Sequence, residues 1–105
     1  MATNRLDILK QMLAQDPSNS FARYGLAMEY AKSGDLRDAV NEFKSLIAAD
    51  GSYVAAYYHC GQALEKLGDV DSARLVYEQG IDASSKKGDL HTLGEIEAAL
   101  SLLPI

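Results

Sequence analysis

At 105 residues the chain has room for one domain built on one modest core. Hydrophobic residues make up 48% and charged residues 24%, the balance of an ordinary globular protein. A net charge of −5 and a pI near 4.8 argue against nucleic acid, which takes a basic face to displace counterions, and against anionic lipid headgroups.

Helical periodicity runs along the whole sequence. Leu6, Leu9 and Leu13, with Met12, form an apolar stripe over residues 4–15. Asp16-Pro17-Ser18-Asn19 breaks it, because a residue before proline avoids the α region. Ser18, Asn19 or Ser20 can cap the next helix, expected over about 20–32. Ser33-Gly34-Asp35 ends that helix: Gly34 suits the left-handed position after a helix, and Asp35 can cap the following one by accepting a backbone N–H. Further helices are expected over about 36–49, 53–66, 70–83 and 90–102. Asp50-Gly51-Ser52 and Leu67-Gly68-Asp69 separate the middle ones. Ser84 to Gly88 read as a polar link, and Asp89 as the cap of the last helix. No period-2 alternation persists, so no strand competes. Turns this short make consecutive helices antiparallel.

The spacing also contains a repeat. Residues 20–53 align on 54–87 without a gap and share eight identities: Ala22/Ala56, Tyr24/Tyr58, Lys32/Lys66, Gly34/Gly68, Asp35/Asp69, Ala39/Ala73, Ile47/Ile81 and Ala49/Ala83. Two antiparallel helices approach closely only where one offers a small side chain, and Ala39 and Ala73 supply it, with Phe43 and Tyr77 one turn on. Each helix pair leaves an apolar flank for its neighbour, so about three units must stack for stability.

A 34-residue helix-turn-helix period carrying Leu26-Ala27-x-x-Tyr30 then Ala39-x-x-x-Phe43, and Tyr57-x-x-Cys60-Gly61-x-x-Leu64 then Ala73-x-x-x-Tyr77, resembles the tetratricopeptide repeat. Arg23 and Tyr57 stand where that family has tryptophan, and Gly51 and Ser85 where it has proline. The resemblance implies an all-α fold, a right-handed α-α superhelix of about six antiparallel helices in a single domain over 1–105. Residues 4–17 would be a half repeat, 20–53 and 54–87 two full repeats, and 88–103 a capping helix. In the capping helix Leu90, Leu93, Ile96, Leu100 and Leu103 share roughly one face, expected to cover the second repeat. The first helix lacks a cover, which leaves Ile8 or Met12 open to solvent.

In this family the first helix of each pair lines a concave face. Carried over by position, that face holds Phe21, Tyr24, Gly25, Met28, Ala31 and Lys32 from the first repeat. The second gives Ala55, Tyr58, His59, Gln62, Glu65 and Lys66, and the last helix His91, Thr92 and Glu95. Tyrosines offer wide contact at low entropic cost and methionine adapts to varied partners, so the implied ligand is a peptide or helix with one or two apolar anchors. Core burial competes for the same residue types. Tyr30, Phe43, Tyr57 and Tyr77 are assigned to the core, Tyr24 and Tyr58 to the groove. Lys32 and Lys66 also fit a second role, as helix-end cations that complement the dipole. Some family members grip a chaperone's C-terminal carboxylate with Lys, Asn and Arg; Tyr24, Met28, Ala55 and His59 stand at those positions and cannot supply that grip.

Catalytic and metal signatures are absent from the pattern. His59 and Cys60 are adjacent, so they point about 100° apart on a helix and one metal does not take both. Cys60 falls at an apolar repeat position and reads as a small buried hydrophobe; being single, it forms no internal disulfide. Glycines lie singly, not as a phosphate loop, and Asp69/Asp71 and Glu95/Glu97 are spaced i,i+2, which separates them on a helix. The expectation is a non-enzymatic protein-binding scaffold with no cofactor and no metal. No signal-like start and no run of about 18 apolar residues suggest a cytoplasmic protein without membrane contact. The alternative is a structural unit that homo-oligomerises through its uncovered N-terminal helix. RNA binding by a pentatricopeptide-like array conflicts with both the charge and the 34-residue period.

Overall fold

The computed structural model describes residues 4–105; residues 1–3 of the polar N-terminus lie outside the described part. Six helices follow one another: α1 (Arg5–Gln15), α2 (Ser20–Lys32), α3 (Leu36–Ala49), α4 (Ala55–Lys66), α5 (Val70–Lys87) and α6 (Leu90–Ser101). Each packs on its neighbours in the chain, and beyond these only α2–α4 and α4–α6 touch among the described residues. The first helices of successive pairs therefore stand side by side in one layer. The described part measures 47 × 29 × 20 Å, the elongated form of a stack that grows in one direction.

The turns follow from their sequences. Gly34 and Gly68 adopt φ of +86° and +82°, where a Cβ would be strained. Asp35 and Asp69 then donate their backbone N–H groups to the carbonyls of Tyr30 and Leu64, both at 2.9 Å, closing the same C-terminal motif in each repeat. Asn19, Asp69 and Asp89 cap their helices through the backbone N–H groups of Ala22, Ser72 and Thr92. Asp35 does not act as the expected side-chain cap. Its carboxylate accepts a hydrogen bond from the Ser33 hydroxyl at 3.2 Å instead, a local competitor that the second repeat lacks because Leu67 stands there.

The core divides unequally. The large cluster contains Ala39, Phe43, Leu46, Ala73, Tyr77 and Ile96, all essentially without exposed surface. Burying Phe43 alone is worth about 1.5–3 kcal/mol. Ala39 and Ala73 are fully buried, as close helix-helix contact at those positions requires. Tyr30 is only half-buried, because it borders both clusters and not the centre of either. The small cluster is Leu9, Ala22 and Leu26, and with the Arg5–Glu29 ion pair at 3.0 Å it joins α1 to α2. Ile8 is exposed and Met12 half-buried.

Two boundaries and the facing of the last helix differ from the sequence reading. Helix α4 begins at Ala55, with Tyr53 in the preceding turn. Helix α5 continues through the expected link to Lys87 and stops at Gly88, which takes a left-handed φ of +78°. Tyr77, Gly80 and Ser84 prolong one buried stripe at i, i+3 and i+7, so burial of Ser84 overrides the local turn preference. The extra residue before α6 rotates that helix: Thr92, Ile96 and Ala99 face the core, and Leu90 is 74% exposed.

Candidate functional site

Helices α2 and α4 meet along the face that also carries α6. Between α2 and α4 lies a hollow of about 200 Å³ lined by Met28, Lys32, His59, Gln62 and Lys66, with Ala31, Leu36 and Ala63 completing its wall. Half of the ten site residues expected from the sequence converge here. Lys32 and Lys66 close the last turns of their helices and are exposed, and neither takes part in an ion pair among the described residues. Gln62 is fixed from below. It donates to the Tyr77 hydroxyl at 2.8 Å, and that hydroxyl donates to Glu65 at 2.5 Å. Burial pushes the Tyr77 phenol well above its ordinary range, with the bond to Glu65 adding to it, so it remains a donor.

An aromatic cluster continues from the hollow. Tyr24 lies 5.1 Å from Tyr53, 5.9 Å from His59 and 6.2 Å from Phe43, between ring centroids. Tyr58 meets His59 edge to face at 5.2 Å. His59 belongs to both parts: it lines the hollow and stacks on Phe43 at 6.3 Å. Burial holds its imidazole below the ordinary range, with the charge of Glu95 pulling the other way. Burial raises the Tyr24 hydroxyl, assisted by Tyr53 and Glu95. A Glu95 charge felt on both rings brings α6 to this cluster. Glu95 also approaches His91 at 3.5 Å, and both are largely exposed.

Two expected residues lie apart from this arrangement. Phe21 is 63% exposed and lines neither the hollow nor the aromatic cluster. Gly25 is buried under Leu9, a packing position for α1 and not a groove position. Tyr53 was missed by the repeat register, since it aligns with Lys87 and precedes α4; its only sequence signal is aromaticity in a turn. Cys60 is fully buried, and burial pushes its thiol to about 11. Among the described residues no group of three metal-ligating side chains assembles, and no helix is long and apolar enough to cross a membrane.

A larger hollow, about 620 Å³, opens on the other side, where the extended end of α5 meets the turn before α4. Ile47, Tyr57 and Ala83 line it with Lys86 and Lys87. Its cations and its phenol are engaged: Tyr57 donates to the Gly51 carbonyl at 2.7 Å, Lys87 to the Ser52 carbonyl at 3.0 Å, and Lys86 pairs with Asp82 at 2.9 Å. The smaller hollow between α2 and α4 keeps free cations and aromatic rings, so chemistry and not volume marks it out.

Comparison with known proteins agrees with this architecture. The sequence profile of the tetratricopeptide repeat family matches residues 24–87. A TPR repeat-containing protein of Pseudomonas aeruginosa is 30% identical over 95 residues, 90% of each chain. The solution structure of a tetratricopeptide repeat domain protein from Salinibacter ruber is 36% identical and superposes with a TM-score of 0.75, over 81% of this chain and 86% of that one. The TPR2B domain of yeast Sti1, in a complex with pHsp70, is 17% identical with a TM-score of 0.86, over 91% of this chain and 77% of that one; this last likeness concerns the fold. With its 34-residue period, its paired helices and these matches, the chain belongs to the tetratricopeptide repeat family.

Proposed function

We propose that the chain is a non-catalytic protein-binding module, and that the face of α2, α4 and α6 takes a peptide or helix of a cytoplasmic partner. One observation carries the reading. A hollow with two lysines that are unpaired among the described residues adjoins a half-buried cluster of Tyr24, Tyr53, Tyr58 and His59. Half-buried aromatic rings are anchors for an apolar side chain, and their rigid shape limits the entropic cost of contact. Lys32 and Lys66 favour an acidic flank on the same ligand, while Glu95 disfavours one at the α6 end. The complex of the Sti1 domain with pHsp70 supports this use of the fold. The net charge of −5 supports a protein ligand over nucleic acid or an anionic membrane.

The test compares the unsubstituted chain with the double variant Tyr24→Ala, Tyr58→Ala as bait in affinity capture from the native cell extract. The variant is expected to keep its helical circular dichroism and to lose the captured partner. Equal capture by both baits would move the binding surface elsewhere.

A further inference from the structure

Four charged side chains at the face of α2, α4 and α6 form no ion pair with a lysine, arginine, aspartate or glutamate among the described residues. Two are Lys32 and Lys66, which line the hollow. The third is Glu65. Its carboxylate accepts from the Tyr77 hydroxyl at 2.5 Å and from the Gln62 amide at 3.4 Å. These neutral donors hold it in place without cancelling its charge. The fourth, Glu95, meets only the imidazole of His91, at 3.5 Å. Glu29 is different, because Arg5 takes up its charge at 3.0 Å.

The signs are sorted in space. Lys32 ends α2 and Lys66 ends α4, and both border the seam between those helices. Glu65 reaches towards Tyr77 of α5, away from α2. It is adjacent to Lys66 in the chain, so the two side chains leave the helix about 100° apart and do not quench each other. Glu95 stands on α6, and its charge is felt at the Tyr24 and His59 rings, which puts it on the face that holds the hollow. Positive charge therefore lies along the α2–α4 seam and negative charge towards α6. The half-buried rings of Tyr24, Tyr53 and Tyr58 accompany them. A uniformly acidic ligand gains at the seam and is repelled near α6, and a uniformly basic one meets the reverse. A segment with one sign at each end gains at both.

We infer that the partner segment taken by this face carries both signs: an acidic residue over Lys32 and Lys66, a basic residue facing Glu65 and Glu95, and an apolar anchor on the rings between them. The inference rests on the protein-binding reading of this face and adds the charge order of its ligand. Packed helices stand about 8–10 Å apart, so the distance from the seam to α6 is about 12–15 Å. An extended chain rises about 3.3 Å per residue and places its two charges about four residues apart. An exposed pair of charges changes affinity by up to about fivefold.

Four acetylated, amidated peptides test it, titrated into the isotopically labelled full chain at low salt and followed by amide chemical shifts, which read millimolar binding. Each has a central leucine and two charged residues at either end. The charges are aspartates at both ends, lysines at both ends, or aspartates at one end and lysines at the other, in both orders. The tighter of the two mixed peptides is expected to bind about three- to tenfold more tightly than either uniform peptide, and to lose that margin near about 0.5 M salt. Lys32→Gln with Lys66→Gln should remove the margin over the all-lysine ends. Glu65→Gln with Glu95→Gln should remove the margin over the all-aspartate ends, and a glutamine at 65 still accepts from Tyr77. The tightest binding by the all-lysine peptide, which the net charge of −5 alone would dictate, overturns the inference. Equal affinities, no binding by any peptide, or a margin that survives both double variants overturn it as well. The two readings fail separately. A failed ranking beside a capture that still depends on Tyr24 and Tyr58 sinks the charge order alone, and equal capture by both baits with the ranking intact sinks the aromatic anchoring alone.

Discussion

Gly61→Ala and Gly94→Ala are the same substitution in two first helices, and the structure gives them opposite signs. A Cβ at Gly61 would fall far inside the van der Waals contact distance of the Tyr77 ring. The ring has no free space, being 0% exposed, and its hydroxyl is tied to Glu65 and Gln62. Accommodating the methyl moves the ring by more than an ångström. Overpacking of that kind costs about 1–3 kcal/mol. The weakened charged hydrogen bond adds about 1.5–3 kcal/mol, and alanine returns about 1 kcal/mol of helix propensity. The net loss is about 1.5–5 kcal/mol, or about 6–40 °C in melting temperature at about 4–8 °C per kcal/mol for a domain of this size. At Gly94, where a Cβ meets nothing within 4 Å, only the propensity gain remains, about 1 kcal/mol and a rise of a few degrees. Thermal melts by far-ultraviolet circular dichroism in dilute solution read both. A Gly61→Ala protein that melts at or above the parent temperature would refute the seating of Tyr77 on α4.

Caps give a second contrast: Asn19→Ala should lower stability by about 1 kcal/mol, whereas Asp35→Ala should change the chemical-denaturation midpoint little, because its side chain caps nothing. Ser84→Ala should stabilise by about 1 kcal/mol, since the Ser84 hydroxyl is fully buried without a partner among the described residues and alanine is the better helix former; a lower denaturation midpoint would count against that burial. Cys60 should stay unmodified by a thiol-specific disulfide reagent at mild alkaline pH until denaturant is added. With its thiol pushed to about 11, the thiolate fraction near pH 8 is on the order of one in a thousand, and the sulfur is enclosed. Because the folded thiol resists ionisation, stability should hold below the unfolded value near 9 and decline as pH rises from there toward 11.

Much of the scaffold was written in local chemistry. Gly34-Asp35 and Gly68-Asp69 mark the same turn twice because only the backbone and a residue without Cβ are needed to form it. Ala39 and Ala73 mark crossings because small volume at that spacing has few other uses. The end of α5 was not legible: Ser84 and Ser85 are turn formers, and what keeps the segment helical is the burial of Ser84. Gly88-Asp89, a third copy of the Gly-Asp signal, was the clue that the helix ran on. The candidate site was legible in part. Met28, His59 and Gln62 follow from the repeat register, but Tyr53 enters from a turn that the register does not cover, and Phe21 stays outside because its side chain lines neither the hollow nor the rings.

The division of the core has a kinetic consequence. Helix α1 rests on three buried residues, Leu9, Ala22 and Leu26, separate from the cluster that unites the other helices. A helix held this way opens without waiting for global unfolding. In native-state hydrogen exchange its amides should form the fastest class among the helices, with α3, α4 and α5 the slowest. Proteases should enter first at the Asp16–Asn19 turn that the opening frees. Whatever lies against α1 in an assembly would slow both processes together, so exchange in this one helix serves as a local gauge of whether the end of the stack is occupied.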